Sequence, residues 1–207
     1  MVSINFPNAA RSVNEKILEF HLWLLAYVLP ILWTIISLLF LIASCSYSFR
    51  GLIERHSTEL GWTVIPRGVL LPIRIPSLKL LYLMDERGGN KRTIKAIGHQ
   101  WYWQYDYPEL PSFLSYIIGG DYRVLNADNR LMLITGIPAQ ILISAADVLH
   151  SWTVPTIGIK ADAVPGRVNK LNLIPKRPGV YFGQCSEICG SNHRFIPISL
   201  ESYIFNF

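Results

Sequence analysis

The residues best suited to chemistry are Cys185, Cys189 and His193, in the run Cys185-Ser-Glu-Ile-Cys189-Gly-Ser-Asn-His193. A second histidine, His150, stands 35 residues before Cys185, in Val148-Leu-His-Ser-Trp152. Two thiolates and two imidazoles are soft-to-borderline donors that suit copper, zinc or an iron–sulfur cluster. The Cys-x3-Cys spacing allows both sulfurs to bridge two copper ions, each of which also takes one histidine. An electron shared over two ions in a rigid frame changes the geometry little, which suits fast electron transfer. The same side chains could instead hold a structural zinc ion, or the two cysteines could close a disulfide in an oxidising compartment. A Rieske cluster fits less well, because its ligands come in paired motifs unlike this one. Three cysteines in the whole chain are too few for a disulfide scaffold.

Such ligands need a rigid frame, and the second half of the sequence reads as one. Short apolar alternations occur at 130–136, 140–145, 168–174, 179–185 and 196–205. Turn signals separate them: Gly119-Gly120, Asp128-Asn129, Pro165-Gly166 and Pro178-Gly179. Short strands punctuated in this way predict an all-β sandwich or barrel. About 120 residues are enough to bury a core. This domain is expected over 85–207, with a membrane-anchoring segment over 1–84.

From His21 to Phe49 the chain carries no Lys, Arg, Asp or Glu. A hydrocarbon layer about 30 Å thick needs roughly 20 helical residues, so this stretch predicts a transmembrane helix over about 21–49, kinked at Pro30. A signal peptide would have a shorter apolar core nearer the terminus and a small-residue cleavage motif. A second apolar stretch, 62–84, predicts a second span and hence a helical hairpin. It also contains Arg67, Arg74, Lys79 and three prolines. An arginine at mid-membrane costs about 2.5–3.5 kcal/mol on insertion scales, so Arg67 and Arg74 are expected to face another subunit, a lipid headgroup or another polar partner.

Composition agrees with this division. Of the 207 residues 51% are hydrophobic and 16% charged, and the mean hydropathy is +0.30. That excludes intrinsic disorder and argues against a purely soluble protein. The net charge of +5 comes without a basic run, so nucleic acid is not an expected partner.

Taken together, Cys185–His193, Asp147-Val-Leu-His-Ser-Trp152, Gly98-His-Gln-Trp-Tyr-Trp103, Pro76-Ser-Leu-Lys-Leu-Leu-Tyr-Leu-Met-Asp-Glu86 and Lys160-Ala-Asp-Ala-Val-Pro-Gly-Arg167 closely resemble subunit II of haem–copper cytochrome c oxidases of the mitochondrial type. The resemblance runs through nearly the whole chain. It implies a two-helix transmembrane hairpin followed by a cupredoxin-like β-sandwich with a binuclear copper A centre. Electrons would arrive from cytochrome c and pass to haem in subunit I, where oxygen is reduced to water with proton pumping. Residue by residue, the resemblance makes Cys185 and Cys189 the bridging thiolates and His150 and His193 the terminal ligands. It gives Glu187 a weak backbone-carbonyl contact, and gives its carboxylate a part in a magnesium site shared with subunit I. Trp101 matches the electron-input tryptophan, while Tyr102 and Trp103 are expected mostly to pack the core. Glu59 matches a carboxylate at the mouth of a proton-uptake path, although such a residue read alone is a solvated loop charge. Asp106, Asp128 and Asp147 match positions at the docking rim for cytochrome c. The implied location is the mitochondrial inner membrane, with both the N-terminus and the β domain in the intermembrane space, and membrane lipid is a further partner. The absence of a cleavable targeting segment agrees with synthesis inside the organelle. A quinol-oxidase subunit II would share the fold without these ligands.

The chain departs from the family at Ile196, where a methionine normally supplies an axial sulfur. Isoleucine has no lone pair. Either one copper loses that donor and its potential rises, or the codon is read as methionine, as several mitochondrial codes read AUA. Ile97 and Ile141 also stand where relatives often carry methionine. The sequence further stops about ten residues after the cysteine–histidine run, where relatives usually add a C-terminal helix.

Overall fold

A computed structural model describes residues 6–48, 51, 54–84, 92–120 and 122–205. Two helices precede ten strands. The chain divides into one unit comprising Met1–Glu15 and Asp85–Phe207, and another comprising Lys16–Met84.

Helix α1 spans Ser12–Ser44 and helix α2 spans His56–Met84. Both begin before the apolar stretches that signalled them, at 21 and 62. Absence of charge marks where a helix can meet hydrocarbon, whereas helical hydrogen bonding also accommodates charged residues. Glu15 and Glu59 lie in the first turns, where the positive end of the helix dipole favours a carboxylate. At the other end, α1 stops at Ser44; the expected end of the span at Phe49 lies outside the described residues, as do Asp85 and Glu86. Pro30 lies inside α1, and the Thr34 hydroxyl donates to its carbonyl at 2.8 Å. Among the described residues, α1 is the one helix long and apolar enough to cross a membrane. Helix α2 is less apolar because it includes Arg67, Arg74 and Lys79, all exposed.

The strands are β1 (Arg92–His99), β2 (Tyr102–Asp106), β3 (Phe113–Ser115), β4 (Leu131–Ile134), β5 (Ala139–Ala145), β6 (His150–Val154), β7 (Ile159–Ala163), β8 (Asn169–Leu173), β9 (Gly179–Gln184) and β10 (Pro197–Tyr203). One sheet has the order β3-β2-β1-β5-β8, a second β4-β10-β9, and β6 pairs with β7. All five alternating stretches in the sequence form strands within a residue or two of their expected limits. The clearest is β5, whose seven residues are buried and half-buried in turn.

Alternate residues of these strands meet in one core. Ile94, Trp103, Tyr105, Ile141, Ile143, Trp152, Leu131, Ile198 and Leu200 are all fully buried there. Trimming a buried isoleucine or leucine to alanine in such a core costs about 2–5 kcal/mol. Inside it, the Trp152 indole donates to the Tyr105 hydroxyl at 3.1 Å. Strand β9 runs so close to β6 that a side chain at Gly183 would meet the Thr153 carbonyl oxygen at 1.8 Å. That approach brings the end of β9 beside the start of β6.

The segment preceding α1 is tied to the same domain. The Ala10 N–H donates to the Thr156 carbonyl at 2.9 Å, and Lys176 N–H donates to the Ala10 carbonyl at 2.9 Å. Arg177 donates to the Ala9 carbonyl at 2.6 Å, and the Asn14 amide donates to the Thr156 carbonyl at 2.8 Å. Gly158, at φ +69°, leaves room for the Asn14 side chain, which a Cβ there would strike at 2.4 Å. Ala10 is fully buried in the core.

Candidate metal centre

Three elements bring the ligands together. His150 opens β6, Cys185 follows β9 directly, and His193 begins a short 3-10 turn, His193–Phe195, just before β10. The loop between Cys185 and His193 is pinned from several sides. Cys185 N–H donates to the Ile196 carbonyl at 3.1 Å, Ser186 N–H to the Ser151 carbonyl at 3.0 Å, and His193 N–H to the Gly190 carbonyl at 3.2 Å.

Cys185 and Cys189 are buried free thiols, so no disulfide joins them. His150 Nδ1 stands 3.8 Å from Cys185 Sγ, and His193 Nδ1 stands 3.5 Å from Cys189 Sγ. Each imidazole therefore faces a different sulfur. The donor atoms of His150, Cys185 and Cys189 lie within 4.8 Å of one another. The Glu187 carbonyl comes within 3.4 Å of Cys185 Sγ.

The charges are arranged around His150. Its Nε2 lies 2.9 Å from Asp147 Oδ1. Asp147 also accepts the Gln100 N–H and the Val148 N–H, each at 2.6 Å. Burial opposes the carboxylate, but these hydrogen bonds outweigh it and hold the Asp147 carboxyl below its usual range. Burial likewise opposes an imidazolium at His150, yet Cys185 and Asp147 raise its pKa. The Cys185 thiol is lowered despite burial, because His150 stabilises its thiolate. Cys189 is pushed up to about 12, by burial and then by the neighbouring Cys185. His150 and Cys185 thus favour each other's charged form, while Cys189 is held toward its neutral thiol. A histidine held through Nε2 by a carboxylate presents Nδ1 in one tautomer and one orientation, the usual support for a metal ligand. The donor set fits a metal that takes sulfur and nitrogen.

Sequence reasoning missed three supports of this site. A Cβ at Gly98 would lie 2.9 Å from His150 Cγ and Cδ2, so the ring needs glycine in β1. The Gln100 side-chain amide donates to the Cys189 carbonyl at 2.8 Å. Trp103, expected in the core, is fully buried and also walls the site, its ring 5.9 Å from that of His150. All three belong to the Gly98–Trp103 motif, yet nothing in its letters pairs them with residues 47 to 89 positions away.

The other expected residues fall in several places. Trp101 lies against the ligand loop, where a Cβ at Gly190 would meet its Nε1 at 3.2 Å. Tyr102 is half-buried, stacked on His99 at 4.7 Å instead of filling the core. Glu187 is half-buried, and Ile196 is fully buried at the end of the 3-10 turn. Asp106 is half-buried and accepts from Gln104 at 3.0 Å. Asp128 is exposed and accepts the Tyr116 N–H at 2.7 Å. Asp147 is also exposed, but its carboxylate is engaged with Gln100, Val148 and His150. Glu59 belongs to the helical unit, where its carboxylate lies 3.6 Å from His56 Nδ1.

Comparison with known proteins matches residues 92–203 to the family described as cytochrome c oxidase subunit II, periplasmic domain. Residues 1–80 match its transmembrane domain. Cytochrome c oxidase subunit 2 of Apis koschevnikovi is 46% identical over 199 residues, covering 93% of this chain and 88% of the relative. That of Periplaneta americana is 43% identical over 212 residues, covering 99% and 93%. Among solved structures, the periplasmic domain of subunit II of cytochrome oxidase of Bradyrhizobium japonicum is similar, with a TM-score of 0.55 and 36% identity over 56% of this chain and 87% of that one. A mixed disulfide intermediate between a thioredoxin-like protein and subunit II of cytochrome c oxidase is similar as well, at 34% identity and a TM-score of 0.51, covering 57% of this chain and 86% of that one.

Proposed function

The chain belongs to the cytochrome c oxidase subunit II family, and from that premise we propose how its residues serve the family's reaction. It is the electron-input subunit of a haem–copper oxidase, and oxygen is reduced elsewhere in the complex. We infer that its centre holds copper, with Cys185 and Cys189 as bridging thiolates, His150 and His193 as terminal ligands through Nδ1, and the Glu187 carbonyl as a weak donor. Copper held by these residues would supply one-electron transfer with little rearrangement. The observation that carries this reading is the pairing of each imidazole with a different sulfur, as two ions sharing both thiolates would require.

The chain's own residues do the positioning. Asp147 holds the His150 proton at Nε2, and Gln100 ties the Cys189 carbonyl to the loop that also carries Asp147's backbone donor. Trp101, against Gly190, offers an aromatic bridge from the surface toward the ligand loop, in the electron-input role. Asp106, Asp128 and Asp147 contribute negative charge for docking basic cytochrome c, an attraction that salt weakens. The Glu187 carboxylate takes part in a magnesium site shared with subunit I, and Glu59 stands at a proton-uptake mouth. Helix α2 forms the second span, a reading supported by the transmembrane-domain match over residues 1–80. Both the N-terminus and the β domain then face the intermembrane space of a mitochondrion.

Electron paramagnetic resonance of the isolated complex tests the copper reading. A seven-line mixed-valence signal with two coppers per chain is the expected result. A silent spectrum with zinc at the site would overturn it in favour of a membrane-anchored zinc module.

A further inference from the structure

The helical unit contains a groove of about 730 Å³ that none of the roles above uses. Each helix lends it a single stripe, positions 16, 19, 20 and 23 of α1 and positions 76, 79, 80 and 83 of α2. Both stripes follow the i, i+3, i+4, i+7 spacing of one helix face. The stripes are mixed in chemistry: Phe20, Trp23, Leu80 and Leu83 are apolar, and Lys16 and Lys79 bring cations.

The depth of the groove follows from helix geometry. Lys16 precedes His21, where the charge-free stretch begins, by five residues, or about 7.5 Å along the axis. The headgroup region adds roughly 5–8 Å on each side of the hydrocarbon core. Lys16 therefore stands at the outer edge of the headgroups, and Trp23 stands about 3 Å inside the hydrocarbon. Trp23 packs edge-on to Tyr27 at 4.8 Å and against Phe20 at 6.1 Å, an aromatic cluster of the type that sits at this boundary.

The charges select the occupant. Lys16 pairs with Glu19 at 2.7 Å. Lys79 lines the groove among apolar side chains and makes no ion pair with another described residue. Lys79 stands five residues before Met84, so its long side chain reaches outward along the groove to the headgroups, and an ammonium there beside an apolar channel matches a phosphate followed by acyl carbons. The groove's net positive charge favours a headgroup without a cation of its own. We propose that this groove is a binding site for an anionic phospholipid, its phosphate against Lys79 and Lys16 and its first acyl carbons against Phe20, Trp23 and Leu80. The site rests on the reading of both helices as spanning.

The test uses the assembled oxidase in phosphatidylcholine nanodiscs doped with photoactivatable phosphatidylglycerol or photoactivatable phosphatidylcholine. The phosphatidylglycerol probe should label peptides containing Trp23 and Leu80 about fivefold more than the phosphatidylcholine probe, the preference expected of one lysine near an anionic headgroup. Lys79→Gln should remove the preference, and Lys79→Arg should retain it. Equal labelling by the two probes, or a preference unchanged in Lys79→Gln, would overturn the proposal. So would a cross-link from position 80 to a helix of another subunit in place of lipid. Exposed Leu70 and Leu71 serve as the control: either probe labels them if α2 spans. Labelling there without preference in the groove sinks the lipid site alone, whereas no labelling there sinks the spanning reading with it.

Discussion

The two halves of the metal centre are built differently. The His150–Cys185 half rests on strands: His150 opens β6, Cys185 ends the run of β9, and Gly98, Trp103 and Asp147 enclose the imidazole from three sides. His150 is fully buried. The Cys189–His193 half rests on a loop and one 3-10 turn, held by the local bond from His193 N–H to the Gly190 carbonyl and by the Gln100 amide on the Cys189 carbonyl. His193 is only partly covered. One half is therefore carried by paired strands, and the other by a loop that hydrogen bonds tie back to them. Pre-organisation of this kind places the cost of ordering in folding, where the whole core shares it.

Substitutions can break that contrast, beginning with the sulfurs. Cys185→Ser or Cys189→Ser removes a ligand common to both proposed ions, and the complex should lose its copper altogether, measured as metal content per chain. Retention of both coppers in either variant would mean that the sulfurs do not bridge. The next effect belongs to the strand-built half. Gly98→Ala forces the His150 ring aside, and Asp147→Asn removes the carboxylate that fixes its tautomer. Each should weaken metal affinity about 10–100-fold, measured by competition with a chelator. Equal losses from Gln100→Leu, which frees the Cys189 carbonyl of the loop-built half, would erase the asymmetry. Loading should also depend on pH. Cys189 holds its proton up to about 12, so binding at neutral pH must release it, and acid opposes loading. Apparent affinity should rise about tenfold per pH unit for each proton released. A flat profile would contradict the protonated thiol.

Smaller effects concern traffic through the site. Trp101→Phe should slow reduction by cytochrome c about tenfold, equivalent to about 1.4 kcal/mol on the barrier, while leaving the copper spectrum unchanged. A changed spectrum would make Trp101 a structural prop of the loop. The mildest test is at position 196. The mass of the peptide containing His193 shows whether isoleucine or methionine is present. If it is isoleucine, Ile196→Met should lower the potential of the centre.

The candidate ligands stand out in the sequence because three of the four proposed lie within nine residues and their types are chemically distinctive. The strands carrying strong alternation, β4, β5, β8, β9 and β10, were legible for the same local reason. Strand β1 escaped because its inward positions include Ala96 and Gly98, which carry little or no hydrophobic signal, and β6 because four of its five residues are buried, serine and histidine among them. The support of His150 was illegible in principle. It depends on β1 lying parallel to β5 in one register and on Gln100 reaching Asp147 across 47 positions, which no local pattern encodes. Both helices begin before their apolar stretches, since charge reports on solvent and not on backbone geometry.

The bonds that tie residues 8–14 to residues 155–177 also impose a schedule. During synthesis the segment before α1 is made some 150 residues ahead of the carbonyls and side chains it will grip. Its partners exist only once the β domain has folded, and on the two-span reading proposed above that domain must first reach the same side of the membrane. These contacts are then among the last to form, so the join between Ala10, Thr156 and Lys176 acts as a latch that closes only on a completed domain.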